Sequence, residues 1–286
     1  MYKKLKLAWP FLLPGLAGLL IFYVIPFVGG IWFSVTDGRV ENAFVGIENY
    51  VAVWNNVMFQ QGLRNTMELS VICAPLLFIL SFVLAAGLHR IRPAGGFFRS
   101  SVLMPYLMPS SAILIIWLLW FDYGGPVNHL LTALGGSRVD WLTGIELRVP
   151  VVLMFLWKNL GFCLVIFLSA LQSIPESLYE YATLEGASFM RQTFSITLPL
   201  VIPSAFLVAI MCFVSAFRIF KEIYFIAGAY PAEPLYTLQN YMSNMYNNLN
   251  YQYVTTAAYI FAIIVFVLFG LLFLSQRKAM KRLGGE

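Results

Sequence analysis

Six long apolar stretches alternate with polar segments along the chain, and they predict its elements. A helix needs about 20 mostly apolar residues to cross the hydrocarbon core of a membrane, and each stretch is long enough. The first is too long for a cleaved signal peptide and lacks a convincing small-residue cleavage site. We therefore predict an all-α, polytopic transmembrane helical bundle, with one domain over residues 1–286 and six spans at about 10–34, 66–88, 100–121, 149–171, 200–221 and 254–275.

The composition also favours a membrane protein over other classes. Hydrophobic residues make up 60% of the 286 residues and charged residues 11%, whereas soluble domains carry about 25% charged residues. This balance excludes a disordered chain and a nucleic-acid-binding surface. The cysteines (Cys73, Cys163, Cys212) and the two isolated histidines (His89, His129) fit neither a disulfide framework nor a metal site, so we predict no bound metal.

The placement of basic residues predicts the orientation. Cytoplasmic segments of membrane proteins carry an excess of lysine and arginine. With the N-terminus inside, the cytoplasmic side holds eleven of the 18 basic residues, namely Lys3, Lys4, Lys6, Arg90, Arg92, Arg99, Arg191, Arg277, Lys278, Lys281 and Arg282. We therefore predict that both termini are cytoplasmic and that the protein is a multi-pass component of the plasma or inner membrane.

The segment 172–199, between the fourth and fifth spans, is too polar for membrane core and too regular for a mere connector. Ser173 and Glu176 have the spacing of a capping box, in which each side chain bonds the other residue's backbone. A short helix is thus predicted from Ile174 to about Glu185. Gly186 then permits a sharp turn, and a second helical stretch is predicted to run until Pro199.

One face of this predicted helix is suited to a partner. Tyr179, Ala182, Thr183 and Gly186 recur at helical spacing and form a flat stripe that another surface could approach. Glu176 and Glu180 lie one turn apart on a neighbouring face. The segment is therefore either a docking element or an ordinary amphipathic connector.

A resemblance favours docking. Glu180-Tyr181-Ala182, Glu185-Gly186-Ala187 and Ile196-Thr197-Leu198-Pro199 resemble the Glu-Ala-Ala loop of ATP-binding-cassette (ABC) importer permeases, although Tyr181 replaces the usual alanine and Glu185 the common aspartate. In that family the loop is a coupling helix that enters a cleft on a cytoplasmic ATPase subunit. The resemblance implies that the ATPase-coupling residues are Glu176, Glu180, Ala182, Glu185, Gly186 and Ala187.

The resemblance extends over most of the chain. Residues 44–50, 65–66, 98–99, 105, 117, 125–128, 141–142 and 172–175 are similar to the maltose-type, carbohydrate-uptake branch, whereas residues 228–231 and 252–254 depart from it. It implies a type I ABC importer fold and import of a sugar or oligosaccharide. The implied partners are a second homologous permease, two cytoplasmic ATPase subunits, an extracytoplasmic solute-binding protein and membrane lipid, with no nucleic acid.

The chain itself is not expected to be an enzyme. It has no G-x-x-x-x-G-K-[ST] phosphate loop, so ATP and magnesium are expected on the partner subunits, with no cofactor bound by this chain and no catalytic residue. Two other classes stay open. A secondary transporter would place ionisable groups near the membrane midplane, and a membrane enzyme would cluster carboxylates within the spans. A glycerol phosphate ester is an alternative solute to a sugar.

Polar residues in the fourth and fifth spans have two interpretations. Charged side chains inside a membrane are unfavourable by about 2.5–3.5 kcal/mol each on insertion scales. They either snorkel to the interface or line a solute path. The resemblance implies a path lined by Lys158, Asn159, Phe162, Cys212, Ser215, Ala216 and Ile219. The tyrosine- and asparagine-rich stretch 236–253 is interpreted as an aromatic interfacial belt with a polar loop.

Overall fold

A computed structural model describes residues 2–39, 43–90 and 95–284, and within these ranges it gives no side-chain placement for 2–10, 90, 95–99, 279, 280 and 282–284. This part of the chain is helical, apart from loops and an isolated antiparallel bridge between Thr36 and Phe44. The α-helices are α1 (Tyr2–Leu19), α2 (Ile25–Ser34), α3 (Glu48–Trp54), α4 (Val57–Arg90), α5 (Gly95–Leu107), α6 (Ser110–Phe121), α7 (Pro126–Ala133), α8 (Arg148–Gln172), α9 (Glu176–Leu184), α10 (Phe189–Gln192), α11 (Leu198–Phe217), α12 (Phe220–Ala227), α13 (Leu238–Asn247) and α14 (Tyr251–Gly284).

Six helices of the described part are long and apolar enough to cross a membrane, which confirms the predicted number of spans. The predicted bounds hold best for the fourth span, where 149–171 becomes α8. The second is longer than predicted, because α4 extends to Val57. Several basic side chains behind the predicted orientation, such as Lys3 and Arg92, lie outside the described side chains.

The third predicted span, 100–121, is not one continuous helix. It breaks at Met108 and Pro109, between α5 and α6. Pro109 has extended backbone angles, φ −59° and ψ 135°, at the N-cap of α6. A proline disfavours helical geometry in the residue before it and lacks an N–H to continue the helix. The break places Ser110 at the first position of α6.

The prediction that the second helical stretch ends at Pro199 is wrong. The chain stays helical from α10 through a π-helical turn, Thr193–Thr197, into α11. The amide of Leu198 donates to the carbonyl of Thr193, so the hydrogen-bond register has shifted just before the proline. Pro199 then lies in the first turn of α11, a position that tolerates its missing N–H. The fifth span is therefore rigidly continuous with the preceding loop.

Two compact units divide the chain. The first comprises residues 1–60 and 241–265. Its polar centre is Asn49, whose amide donates to the carbonyls of Ser34, at 3.0 Å, and Thr36, at 2.7 Å. The Ser34 hydroxyl also lies 2.9 Å from that of Tyr50. These bonds fix the turn that follows the first span.

The second unit comprises residues 61–240 and 266–286 and contains a core built on α4, α8 and α11. Leu77, Phe155, Phe167 and Val208 are among its fully buried side chains. Gly161 of α8 lies so close to the backbone of α5 that an added Cβ would overlap it. The glycine therefore allows α5 and α8 to pack backbone to backbone.

A polar cluster joins the N-terminal ends of α4 and α8 within this unit. The Asn65 amide donates to the Glu233 carbonyl at 2.7 Å. Arg148 donates to Asn65 Oδ1 at 3.1 Å and to Glu68 Oε2 at 3.2 Å. Its Nε also bonds the Pro234 carbonyl at 2.9 Å. The second and fourth spans thus begin at the same end of the unit.

Candidate functional site

The turn after α9 has the geometry expected of a helix that stops abruptly. Gly186 has a φ of +76°, in the left-handed region that glycine adopts without strain. Its amide donates to the Thr183 carbonyl at 3.0 Å, and the Ala187 amide donates to the Ala182 carbonyl at 2.9 Å. These two bonds form a Schellman motif, which satisfies carbonyls at the end of a helix. The turn predicted at Gly186 is confirmed.

The capping box predicted before α9 is wrong. Both the amide and the hydroxyl of Ser173 donate to the Ala170 carbonyl, at 3.2 and 2.7 Å. Ser173 is the C-cap of α8, with helical φ and ψ of −79° and −11°, whereas an N-cap residue needs extended geometry. Pro175 has that geometry, so α9 begins at Glu176, two residues later than predicted. The Glu176 carboxylate then lies at the positive end of the helix dipole.

The predicted stripe on α9 faces its own chain. The Tyr179 hydroxyl lies 3.0 Å from the Thr197 hydroxyl, in the π-helical turn. The Gln192 side chain donates to the Thr183 hydroxyl at 3.0 Å and to the Ala187 carbonyl at 3.1 Å. Tyr179 and Thr183 are therefore used to fasten α9 to the start of the fifth span. The expectation that this stripe is open to a partner is therefore wrong for Tyr179, whereas Thr183 and Gly186 are exposed.

The opposite face of α9 is exposed and mixes acidic with large apolar side chains. Tyr181 is 69% exposed and Leu184 is 84% exposed. Glu180 is exposed, as is Met190 on the next helix. Among the predicted coupling residues, the exposed ones are Glu176, Glu180, Glu185 and Gly186, and the half-buried ones are Ala182 and Ala187. A rigid, apolar and acidic surface is thus attached to the end of a span.

A second polar site lies inside the membrane-spanning part. Lys158 is ten residues from the start of α8 and 14 from its end, or about 15 and 21 Å along the axis. Its Nζ lies 3.1 Å from Glu222 Oε1 and also donates to the Ser110 hydroxyl. The two charged side chains are only 15% and 5% exposed. In this structure Lys158 is paired near the middle of the span, so it does not snorkel to the interface.

The other predicted path residues separate into two groups. Asn159 and Ser215 are half-buried, as is Phe162, whose ring stacks on that of Tyr106 at 5.0 Å. The remaining three are packed in the core with at most 1% of their surface exposed, namely Cys212, Ala216 and Ile219. The structure thus brings together the two spans but turns only part of the predicted set away from the core.

Sequence reasoning did not find Ser110 or Tyr106, and the predicted fifth span, 200–221, ended just before Glu222. Pro109 was the available signal, since a proline after an apolar run marks a possible helix break. In the part of the chain with described side chains, no group of three histidine, cysteine, aspartate or glutamate residues could hold a metal ion. The arrangement consists of an exposed apolar and acidic surface on α9 and a buried ion pair.

Comparisons with known proteins agree with this arrangement. Residues 78–283 match the family described as binding-protein-dependent transport system inner membrane component. The trehalose/maltose transport system permease protein MalF of Thermococcus litoralis is 32% identical over 86% of this chain and 85% of its own length. The lactose transport system permease protein LacF of Rhizobium radiobacter is 29% identical over 94% of both chains.

A solved structure shares the fold. It is a bacterial alginate ABC transporter in complex with an alginate pentasaccharide-bound periplasmic protein. One of its chains superposes with a TM-score of 0.82 over 98% of both chains, at 23% sequence identity. The fold, the six spans and the family match over most of the length lead to one assignment. The chain is a multi-pass membrane protein that belongs to the binding-protein-dependent transport system inner membrane component family.

Proposed function

We propose that this chain is a transmembrane permease subunit of an ATP-driven importer and that it carries a sugar or oligosaccharide across the cell membrane. The observation that carries the proposal is the segment from α9 to the π-helical turn. It presents an exposed apolar and acidic face while hydrogen bonds tie its other face to the fifth span. Motion applied to this segment is therefore passed to a membrane-spanning helix.

In this proposal α9 docks into a cytoplasmic ATPase subunit. Glu176, Glu180 and Glu185 supply the acidic contacts, and Gly186 lets the partner approach the turn closely. Ala182 and Ala187, which are half-buried, support the turn from below. The orientation that follows has both termini in the cytoplasm. ATP and magnesium are held by the ATPase subunits, and their closure moves α9.

The proposed solute path runs beside α8 and α11. Asn159 and Ser215 offer an amide and a hydroxyl, and Phe162 offers an aromatic ring, which are the groups that polyhydroxylated solutes use. Lys158 is neutralised by Glu222 at the same depth. Cys212, Ala216 and Ile219 support this wall from behind. A second homologous permease supplies the facing wall.

The named relatives support a carbohydrate as the solute. One is named for trehalose and maltose and another for lactose. The solved importer was crystallised with a periplasmic protein that holds an alginate pentasaccharide. By this analogy we propose an extracytoplasmic solute-binding protein that delivers the sugar to the present chain. A glycerol phosphate ester is the alternative solute.

The experiment is purification of the tagged chain from its native membrane, followed by reconstitution with its partners in proteoliposomes. We expect a subunit with a phosphate loop and a second permease to co-purify. Uptake of labelled trehalose, maltose, lactose or glycerol 3-phosphate should require the binding protein. It should also require ATP on the side of the membrane that carries the ATPase subunits. Uptake that follows a membrane potential without ATP would instead identify a secondary transporter.

The orientation has its own test. A reporter fused after Glu286 should be active in the cytoplasm, and one inserted near Ser137 should be active outside. Both reporters on one side would contradict the proposed topology with both termini inside.

A further inference from the structure

We propose that Lys158 and Glu222 are positioning residues that hold two broken membrane helices against the fourth span and so fix one wall of the solute path. This inference deepens the proposed transport function and rests on it. It assigns the pair a role other than contact with the solute.

Two membrane-spanning helices of the second unit are interrupted. The third span breaks at Met108 and Pro109 before α6 starts at Ser110. The fifth span breaks between α11 and α12, where Arg218 is the C-cap of α11 and has φ −94° and ψ 8°. Irregular backbone at membrane depth is tolerated only where protein or a water-filled cavity covers it. Each break must therefore be covered by neighbouring parts of the protein or by water.

Both breaks meet the fourth span at Lys158. The helices that follow them, α6 and α12, pack against each other and against α8. Ser110, at the start of α6, accepts a hydrogen bond from Lys158, and Glu222, in the first turn of α12, accepts another. One ammonium group of α8 thus bonds both α6 and α12, which joins three helical elements at a single point.

Burial makes separation of the Lys158–Glu222 ion pair unfavourable, so the pair can act as a latch, that is, a contact that holds α6, α8 and α12 together. The Lys158 and Glu222 side chains are 15% and 5% exposed, so neither charge is well solvated when the other is absent. Separating a desolvated pair is unfavourable because each charge is stranded. The three elements are therefore expected to move as one body. The neighbours of Lys158 on α8, Asn159 and Phe162, would then keep a fixed relation to α12.

The test uses two double variants of the full complex in its native membrane. Lys158→Met with Glu222→Met removes the latch but strands no charge, so assembly should stay within about twofold of wild type. Lys158→Glu with Glu222→Lys keeps an ion pair of reversed direction. Each is combined with Ile219→Cys, a buried position at the break, and the rate of maleimide labelling is compared with that of Ile219→Cys alone. The native cysteines are buried and give the background.

We expect the methionine pair to label several-fold faster at Ile219→Cys, because the break opens, and to lose about tenfold in ATP-driven uptake of labelled maltose or lactose. The reversed pair should restore both values most of the way. A methionine pair that assembles, labels and transports like wild type would overturn the proposal. If the double methionine variant fails to assemble, the charge-reversed variant decides the question. Rapid labelling of an assembled charge-reversed complex would also overturn the proposal.

Failure of the proposed function gives a different pattern. In that case the wild-type complex takes up none of the sugars, while the labelling rates at Ile219→Cys still report whether the pair holds the break. A merely structural pair would change assembly and thermal stability without changing labelling in the complexes that do assemble.

Discussion

Charged residues do opposite work in two regions of the second unit. On α9 and at its C-cap, the carboxylates of Glu180 and Glu185 are exposed beside Tyr181 and Leu184, while hydrogen bonds secure the opposite face of the helix. Near the middle of the fourth span, Lys158 and Glu222 are buried and satisfy each other. The exposed charges are available to another protein, and the buried charges organise their own chain. Charge alone therefore does not identify a functional residue, whereas charge together with its surroundings does.

The largest effect is expected from breaking the buried pair on one side. Lys158→Met leaves the Glu222 carboxylate desolvated and unpaired, which is destabilising by about 3–5 kcal/mol. The midpoint of thermal unfolding of the detergent-purified complex should fall accordingly. Lys221→Met is the matched control, because Lys221 is exposed on the same helix as Glu222. An equal fall in the unfolding midpoint for both changes would show that the Lys158–Glu222 pair does not stabilise the complex.

A smaller effect, on coupling rather than on folding, is expected at the turn after α9. Gly186→Val places a β-branched side chain at a φ of +76° and crowds the approach of a partner. The variant should insert into the membrane normally. Less ATPase subunit should co-purify with it, and sugar uptake should fall. Gly135→Val is the control, since Gly135 also has a positive φ, +85°, with open space around it, but lies in a different loop.

The outcome that would contradict this expectation is equal loss in both glycine variants. That result would trace the defect to general backbone strain and leave the α9 turn without a role in docking.

The smallest of these effects is expected at the exposed carboxylate. Glu180→Ala should weaken ATPase association by less than about 1 kcal/mol, the value for a charge pair at a solvated rim, whereas a loss of about 2–5 kcal/mol would show that the pair is buried in the interface. Binding of the purified ATPase to the reconstituted permease distinguishes the two. Glu146→Ala, at an exposed carboxylate in another loop, is the control and should bind normally.

Hydrophobic patterning was sufficient to predict the helical class and six spans, because span length and apolarity are local properties of the chain. The break at Pro109 was missed since the apolar run continues across it. The pairing of Lys158 could not be predicted, as Glu222 lies 64 residues away in the sequence. The contact that covers Tyr179 on α9 could not be predicted for the same kind of reason. Thr197, which holds Tyr179, belongs to the next helical segment.

The family resemblance and the structure also divided the predicted path differently. Motif matching selected seven residues by their distance from the coupling loop, whereas burial depends on the packing of α11 against α8. Cys212 shows this, because its sulfur lies 3.6 Å from that of Cys163 in the core. Position along a helix is readable from sequence, but the direction a side chain faces within a bundle depends on its neighbours.

The central claim is that the exposed face of α9 docks on an ATPase subunit, and two tyrosines of that helix test it most directly. A photo-crosslinking phenylalanine analogue is placed at Tyr181, which is 69% exposed, or at Tyr179, which is half-buried and bonded to Thr197. After illumination of the assembled transporter, the account predicts a covalent adduct with the ATP-hydrolysing subunit from position 181 and none from 179. An adduct from neither position, or equal adducts from both, would contradict it.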